Sequence, residues 1–544
     1  MRQPCDTIPL SWQELSLSYP FETKQAGAFF FDFQPKAKQA LDLLQQAQAG
    51  SLLVLKSETL PEFMREIEQA LAPAHVTLLT EFNRNDLFGY VLYLEKEKRT
   101  QYVAGQLDGL DQATLILNIN ALLLDITQWD KLKQALLFGH YQPNILNGVP
   151  SLVEPVKTAF KLVLVGSRED ISTLATYDDS LYQFAHYAEV QSYLTLTEDN
   201  IQPWANYVLQ MSQRLVQKGL SQQALNQLLQ AYVRESESQH LVSISPASLK
   251  KHLLGLKAFY PDVAEFDDIS AYFAYLESQA AVLNQYALED ILSHQLYIET
   301  EDEAVGQVNG LSVIEFDGVP YSFGEPLRIS CNVQLGDGEI SDIERKVELG
   351  GNIHSKGILI AQSCLSNLLE FPTQLPFSAS LAFEQSYGEI DGDSSSLAIF
   401  CLLMSALTKL PLPQAIAITG SIDQFGNVLS VGGVNQKIEG FFAVCQARGL
   451  NGQQGVIIPA ACLSHLSLKA QVIEAVKAGQ FRIWAVEDLF EATELLFKQP
   501  FYAQEKGQKN LFDLVHKQLE QNDADHTSGA ILDKIYKWWK GKKA

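Results

Sequence analysis

The chain has 544 residues, 47% of them apolar, enough for three or four structural units that each bury a core. Its formal net charge of −24 argues against a general nucleic-acid-binding surface. Six cysteines (Cys5, Cys331, Cys364, Cys401, Cys445 and Cys462) lack C-x-x-C spacing and stand mostly in apolar contexts, so they read as buried thiols of a reducing compartment, not as disulfides or a metal site.

In chain order, residues 1–6 begin no secretory apolar region, and no later stretch reaches the roughly 18 continuous apolar residues of a membrane helix. A soluble, cytoplasmic protein is the expectation. The run Ser-Leu-Leu-Val-Leu at 51–55 is a short buried strand, and 61–71 reads as the helix after it. In a P-loop ATPase the turn between such elements is a glycine-rich cradle with Lys and Ser/Thr for phosphate and magnesium. Here the turn is Lys56, Ser57, Glu58, Thr59, Leu60. It keeps a Lys-Ser pair, has no glycine, and carries a carboxylate that repels phosphate; no G-x-x-x-x-G-K-[ST] occurs anywhere.

Two more strands are expected at 113–120 and from 161 to the turn near 170. From 203 to about 296 the periodicity is helical throughout, with Ser221 and Ser245-Pro246 as start signals. The stretch 263–297, rich in Tyr, Ala and Leu, reads as an elongated helical pair, for which packing is a simpler explanation than substrate gating.

The chemistry concentrates downstream. Asp391, Gly392, Asp393 and Ser394 precede an almost wholly apolar run at 397–404, which reads as a buried helix. A serine at the N-terminus of such a helix has free backbone N–H groups and the positive end of the helix dipole beside it, both able to stabilise an oxyanion. Lys437 follows a strand-like segment at 428–431 and Gly432-Gly433, and precedes a second largely apolar segment at 438–444. A lysine against apolar surface loses its charge readily and can then accept a serine proton. Taken singly, Ser394 reads as an ordinary N-cap and Lys437 as a solvated charge. A hydrolase elbow, G-x-S-x-G, fails at its last glycine, and Asp423 and His465 follow the serine too closely for most of a hydrolase sheet to intervene.

The motif Asp-Gly-Asp-Ser-Ser-Ser at 391–396 resembles the nucleophile segment of the Lon protease family in its B-type form. Residues 418–422 and 426–437 resemble that family's base-bearing segment, and the likeness extends upstream through 305–311, 342–345 and 349–357 and downstream to 455–459 and 481–486. It covers roughly 296–498 and is most similar to the Lon-like homologues of gamma-proteobacteria that lack a usable ATPase motif. The resemblance implies an α/β architecture: a degenerate AAA+-like α/β domain (1–190), a helical lid-like subdomain with an insert (191–295), a Lon-type proteolytic domain (296–500) and a C-terminal tail (501–544). It also implies that 113–120 stands at a Walker B strand whose acidic ends are replaced by Asn118 and Asn120, and that 161–170 is a sensor strand with its turn.

The reading that results is a serine endopeptidase with Ser394 as nucleophile and Lys437 as base. Asp391, Gly392, Asp393 and Thr419 support them, with Thr419 matching a hydroxyl that orients the base and backbone N–H groups at 392–394 as oxyanion donors. No cofactor is expected, ATP-magnesium included; the expected partners are polypeptide substrates and further copies in a homo-hexamer. His354 is left outside the site. Two other classes stand beside this reading: a non-catalytic scaffold, and an ATP-driven protease with an unorthodox nucleotide site. The basic aromatic tail at 535–544 could touch a membrane or nucleic acid, although a docked or disordered terminus is as common.

Overall fold

The computed structural model describes residues 8–521 apart from 24–26, 73, 95, 96, 98, 147–153, 335–337, 372–374, 387–389, 504 and 506. The basic aromatic tail and Tyr387, Gly388 and Glu389, just ahead of the nucleophile motif, lie outside the described residues. The chain forms two compact units: Pro20–Leu225 with Leu241–Ile269, and the remainder, comprising residues up to Tyr19, Asn226–His240 and everything from Ser270.

The first unit holds a parallel sheet of five strands, β1 (Leu52–Lys56), β2 (Val76–Leu79), β3 (Asp111–Asn118), β4 (Ala159–Gly166) and β5 (Ala185–Glu189), in the order β5-β1-β4-β3-β2. Strands β1 and β4 are apolar on both faces because helices cover both sides of a parallel sheet, and Leu52, Val54, Leu162 and Leu164 are fully buried. Helix α1 (Pro61–Ala70) follows β1, with proline in its first turn. The expected strand at 113–120 stops two residues early. The Asn118 side chain accepts from the Asn120 amide and starts the short helix Ile119–Leu123.

The region after 203 is not helical throughout. Short strands interrupt it: Leu241–Ser243 pairs with Tyr193–Thr195, and Glu265–Phe266 with Gly219–Leu220. These short pairs satisfy backbone groups between helices, a tertiary preference that helical periodicity does not register. The start signals do act as read. Ser245 accepts from the Ser248 amide with Pro246 in the first turn, and Ser221 accepts from the Ala224 amide.

In the second unit, seven strands run β6 (Gln307–Ile314), β7 (Phe323–Gln334), β8 (Ile340–Asp342), β9 (Ser378–Phe383), β10 (Ile416–Ile418), β11 (Gly455–Pro459) and β12 (Arg482–Val486), in the order β8-β9-β7-β6-β10-β11-β12. The β6–β7 and β7–β9 pairs are antiparallel, whereas β10, β11 and β12 extend the sheet in parallel from β6. Helix α2 (Gln222–Ser236) ends in this unit, which also contains α3 (Asn352–Leu368), α4 (Ser396–Thr408) and α5 (Val434–Arg448).

Every residue of α4 is buried, which explains a sequence apolar all round: the helix is the centre of the core, packed on β6, β7 and α3. The expected helical pair is Ser270–Ala280 and Val282–Leu292; its second member packs through Ile291 on Val444 of α5. Cys331, Cys364, Cys401, Cys445 and Cys462 are free and buried. Among the described residues no helix is long and apolar enough to cross a membrane.

Candidate active site

Ser394 lies two residues ahead of α4, and its backbone is stitched to the segment leaving β10. The Ser394 carbonyl accepts from the Gly420 amide at 2.8 Å, the Leu397 amide donates to the Gly420 carbonyl at 3.1 Å, and the Ile422 amide donates to Ser396 Oγ at 2.9 Å. These bonds fix the start of α4 and leave Ser394 half-buried at the edge of a cleft of about 890 Å³.

Lys437 occupies the first turn of α5, and its amide donates to the carbonyl of Gly433, the N-cap. Gly433 has φ +64, a left-handed conformation, and an added Cβ would stand 2.4 Å from Val313 Cγ2, so the turn requires glycine. From that turn Lys437 Nζ reaches Ser394 Oγ at 3.0 Å and the fully buried Thr419 Oγ1 at 3.3 Å. Thr419 Oγ1 in turn donates to the Ser394 carbonyl at 3.4 Å. Only 4% of Lys437 is exposed, and burial pulls its ammonium down to about 8. Cys462, Glu237 and Asp393 partly oppose that shift.

The partners of Asp391 lie in α3, while those of Lys437 Nζ are Ser394 and Thr419. Asp391 Oδ1 accepts from the Ile353 and His354 amides, at 3.0 and 3.1 Å, at the N-terminus of α3. Those amides, His354's first, hold its carboxyl below the usual carboxylate range. Gly351 permits the approach, since a Cβ there would meet Asp391 Oδ1 at 2.4 Å. Asp391 therefore ties the loop ahead of the serine to α3. Gly392, at φ +119, turns the chain from that anchor toward Ser394, and Asp393 accepts from the Ser396 amide through its carbonyl. The hydrolase alternative is not assembled: Asp423 spends its carboxylate on the Phe425 and Asn427 amides of its own turn.

Sequence reading missed the glycines that let α5 lie on β7. A Cβ on Gly440 would stand 2.0 Å from the Gly324 carbonyl oxygen, and one on Gly324 2.0 Å from the Gln436 carbonyl oxygen. Glycine inside a helix, normally unfavourable, was the available signal. It also missed Glu237, whose carboxylate lines the cleft and accepts from the Gly433 amide at 3.4 Å.

In the first unit, β1 leads into α1 through Lys56, Ser57, Glu58, Thr59 and Leu60. The Ser57 amide is bonded to the Gly166 carbonyl, the Ser57 hydroxyl is buried, and Glu58 accepts from the Ser192 hydroxyl. The anionic Glu58 and the glycine-free backbone do not fit a bound nucleotide triphosphate.

Comparison with known proteins agrees with this division. Residues 282–497 match the Lon protease (S16) C-terminal proteolytic domain, and residues 72–191 match a LonB-like AAA domain. A protein of Haemophilus influenzae carrying the name "Putative Lon protease homolog" is 41% identical over 94% of this chain and 93% of its own length. One of the same name from Escherichia coli is 35% identical over 93% and 89%. An archaeal Lon protease of Methanocaldococcus jannaschii is 31% identical over 39% of this chain and 31% of its own. With relatives this similar end to end, the chain belongs to the Lon protease family and is a serine peptidase of that type.

Proposed function

We propose that the chain cleaves unfolded or small polypeptides with a Ser394–Lys437 dyad and without ATP hydrolysis. The observation that carries this reading is the 3.0 Å approach of Lys437 Nζ to Ser394 Oγ, with the lysine 4% exposed. An amine held to about 8 is partly neutral at mildly alkaline pH and can act as a base. Ser394 Oγ attacks the scissile carbonyl and passes its proton to Lys437 Nζ. The resulting ammonium protonates the leaving amine, giving an acyl-serine. Lys437 then deprotonates the water that hydrolyses the ester, and the serine regains its proton. Thr419 orients the amine without adding charge. Backbone N–H groups at 392–394, beside the positive end of α4, are the proposed oxyanion donors.

Nucleotide independence follows from the lack of fit at residues 56–60. A closed homo-hexamer in the cytoplasm is proposed from the family and from the need to restrict access to an endopeptidase; symmetric head-to-tail interfaces would supply that restriction. The test is degradation of casein and of a tightly folded protein of similar size, with and without ATP-magnesium, alongside light scattering. Casein loss that is indifferent to ATP, abolished in Ser394→Ala and produced by a ring-sized particle supports the reading. A fully active monomer, or cleavage that survives in Ser394→Ala, overturns it.

A further inference from the structure

Helix α2 comes from the middle of the chain, yet its C-terminal end lies against the turn that presents Lys437. Glu237 follows the last residue of α2 with φ +50, a conformation that glycine or asparagine adopts at much lower cost. Such a strained backbone is a reason to ask what its side chain does. That side chain reaches the cleft shared by Ser394 and Lys437, where its Oε2 accepts from the Gly433 amide.

The surroundings hold Glu237 in place from both directions. One turn earlier, Arg234 makes a paired contact with Glu439 of α5, Nη1 to Oε1 at 2.7 Å and Nη2 to Oε2 at 2.5 Å, and also donates to the Ser467 carbonyl. Glu439 accepts in addition from the Lys469 amide at 3.0 Å. Two residues after Glu237, the Gln239 amide and side chain donate to the Ser464 and Leu466 carbonyls. The end of α2 is thus clamped to α5 through Arg234 and to the segment after β11 through Gln239.

We infer that Glu237 is a positioning residue for the reaction: it holds the Gly433 amide, and with it the first turn of α5, while its negative charge faces the lysine. The inference rests on Lys437 being the base. Charged and titratable groups facing that lysine come from three other elements: Glu237 after α2, Asp393 ahead of α4, and Cys462 after β11. Glu237 bonds the amide of Gly433, the N-cap of the helix that carries Lys437, while Cys462 Sγ bonds the backbone of Val431 two residues earlier.

The experiment uses the full chain with Glu237→Gln and Glu237→Ala. The pH dependence of Lys437 acylation by acetic anhydride, read by mass spectrometry, reports the amine directly; kcat and KM on a fluorogenic peptide report its consequence. An anion beside an ammonium raises its pKa, so Glu237→Gln moves both the labelling curve and the alkaline rise of kcat/KM to lower pH. Its amide oxygen still accepts from Gly433, so the plateau kcat is kept. Glu237→Ala shifts the curve likewise and lowers plateau kcat several-fold, with KM little changed. An unmoved labelling curve, or a change confined to KM, overturns the inference and makes Glu237 a substrate contact or a bystander. If Lys437→Ala retains cleavage, the dyad reading fails instead, while the labelling curve still decides whether Glu237 acts on the amine.

Discussion

Both sheets of this protein carry reactive residue types at or beyond the end of a buried strand but use the backbone there differently. Strand β1 leads through a short turn into α1, whereas β10 is followed by a hairpin, Ser421–Ile422 paired with Val428–Leu429, before the turn that opens α5. After β1, backbone bonding continues as an extension of the sheet: the Ser57 amide is bonded to Gly166 and the Val190 amide to Lys56. Lys56 and Ser57 survive as residue types, but the Ser57 amide is tied into the sheet and the turn carries Glu58 and no glycine. After β10 the backbone bonds go elsewhere. Gly420 and Thr419 hold the Ser394 carbonyl, and Gly433 starts α5, so a hydroxyl and an amine are brought to 3.0 Å. Reactive residue types are therefore a weaker sign of chemistry than the disposition of the backbone that carries them.

The largest effect that tests this contrast is removal of either dyad member. Ser394→Ala and Lys437→Ala should each lower kcat on casein-derived peptides by about a thousandfold or more, and the double variant should lose little beyond either single one, because such pairs act as a unit. Lys437→Arg should be equally inactive, since a guanidinium stays charged. The matching pair Lys56→Ala and Ser57→Ala should retain activity. Activity that depended on Lys56 would erase the distinction between the two turns.

A second prediction concerns the packing of α5. Alanine in a helix interior is ordinarily favoured over glycine by about 1 kcal/mol. At Gly440 the sign should reverse, because the new methyl would stand 2.0 Å from the Gly324 carbonyl oxygen, and forced overpacking costs about 1–3 kcal/mol. Thermal unfolding of Gly440→Ala should show a lowered Tm with reduced kcat, as the helix lifts and carries Lys437 from Ser394. A raised Tm would mean that helix propensity, not contact with β7, governs the position of the base.

The pH dependence separates a buried lysine from a solvated one. Burial lowers the Lys437 pKa from 10.5 to about 8, so the neutral base fills as pH rises through about 8 and is lost to protonation below it. The kcat/KM for a neutral peptide should climb through that range and level off above it. A rise delayed to the ordinary lysine range would place the amine in water in the working enzyme.

How much of this was legible differs by element. The buried α4 was readable because no face of 397–404 is polar, and the Ser245-Pro246 start was readable because cap chemistry is local. The pairing of Ser394 with Lys437 came from family resemblance, since no local pattern links a residue ahead of α4 to one in the first turn of α5. Asp391 was expected to support the dyad, but that its carboxylate would bond the first turn of α3 was not legible, because motif spacing fixes distance along the chain and not the direction of a side chain. Glu237 was invisible for the same reason, and the Gly324–Gly440 contact left only the trace of a glycine inside a helix: each is a meeting of segments far apart in sequence.

The smallest expected effect is the one that finishes the comparison, because it is a null. A nucleotide triphosphate needs a backbone that curls around phosphate and a cation environment that neutralises it. Glu58 brings a negative charge to the turn after β1, α1 opens with Pro61, which has no amide proton to offer, and Asn118 uses its side-chain oxygen to cap the next short helix. Magnesium binds poorly to asparagine in place of a carboxylate. Calorimetric titration with ATP-magnesium should therefore show no heat of binding at micromolar concentration, and casein degradation should proceed at the same rate with ATP, without it, or with a non-hydrolysable analogue. Replacing Glu58 with glycine should not create binding, because one glycine restores neither the cradle nor the metal ligand. ATP turnover that disappears in Lys56→Ala would show that the first sheet retains a working site built by other means, and the two turns would then differ in geometry but not in having a function.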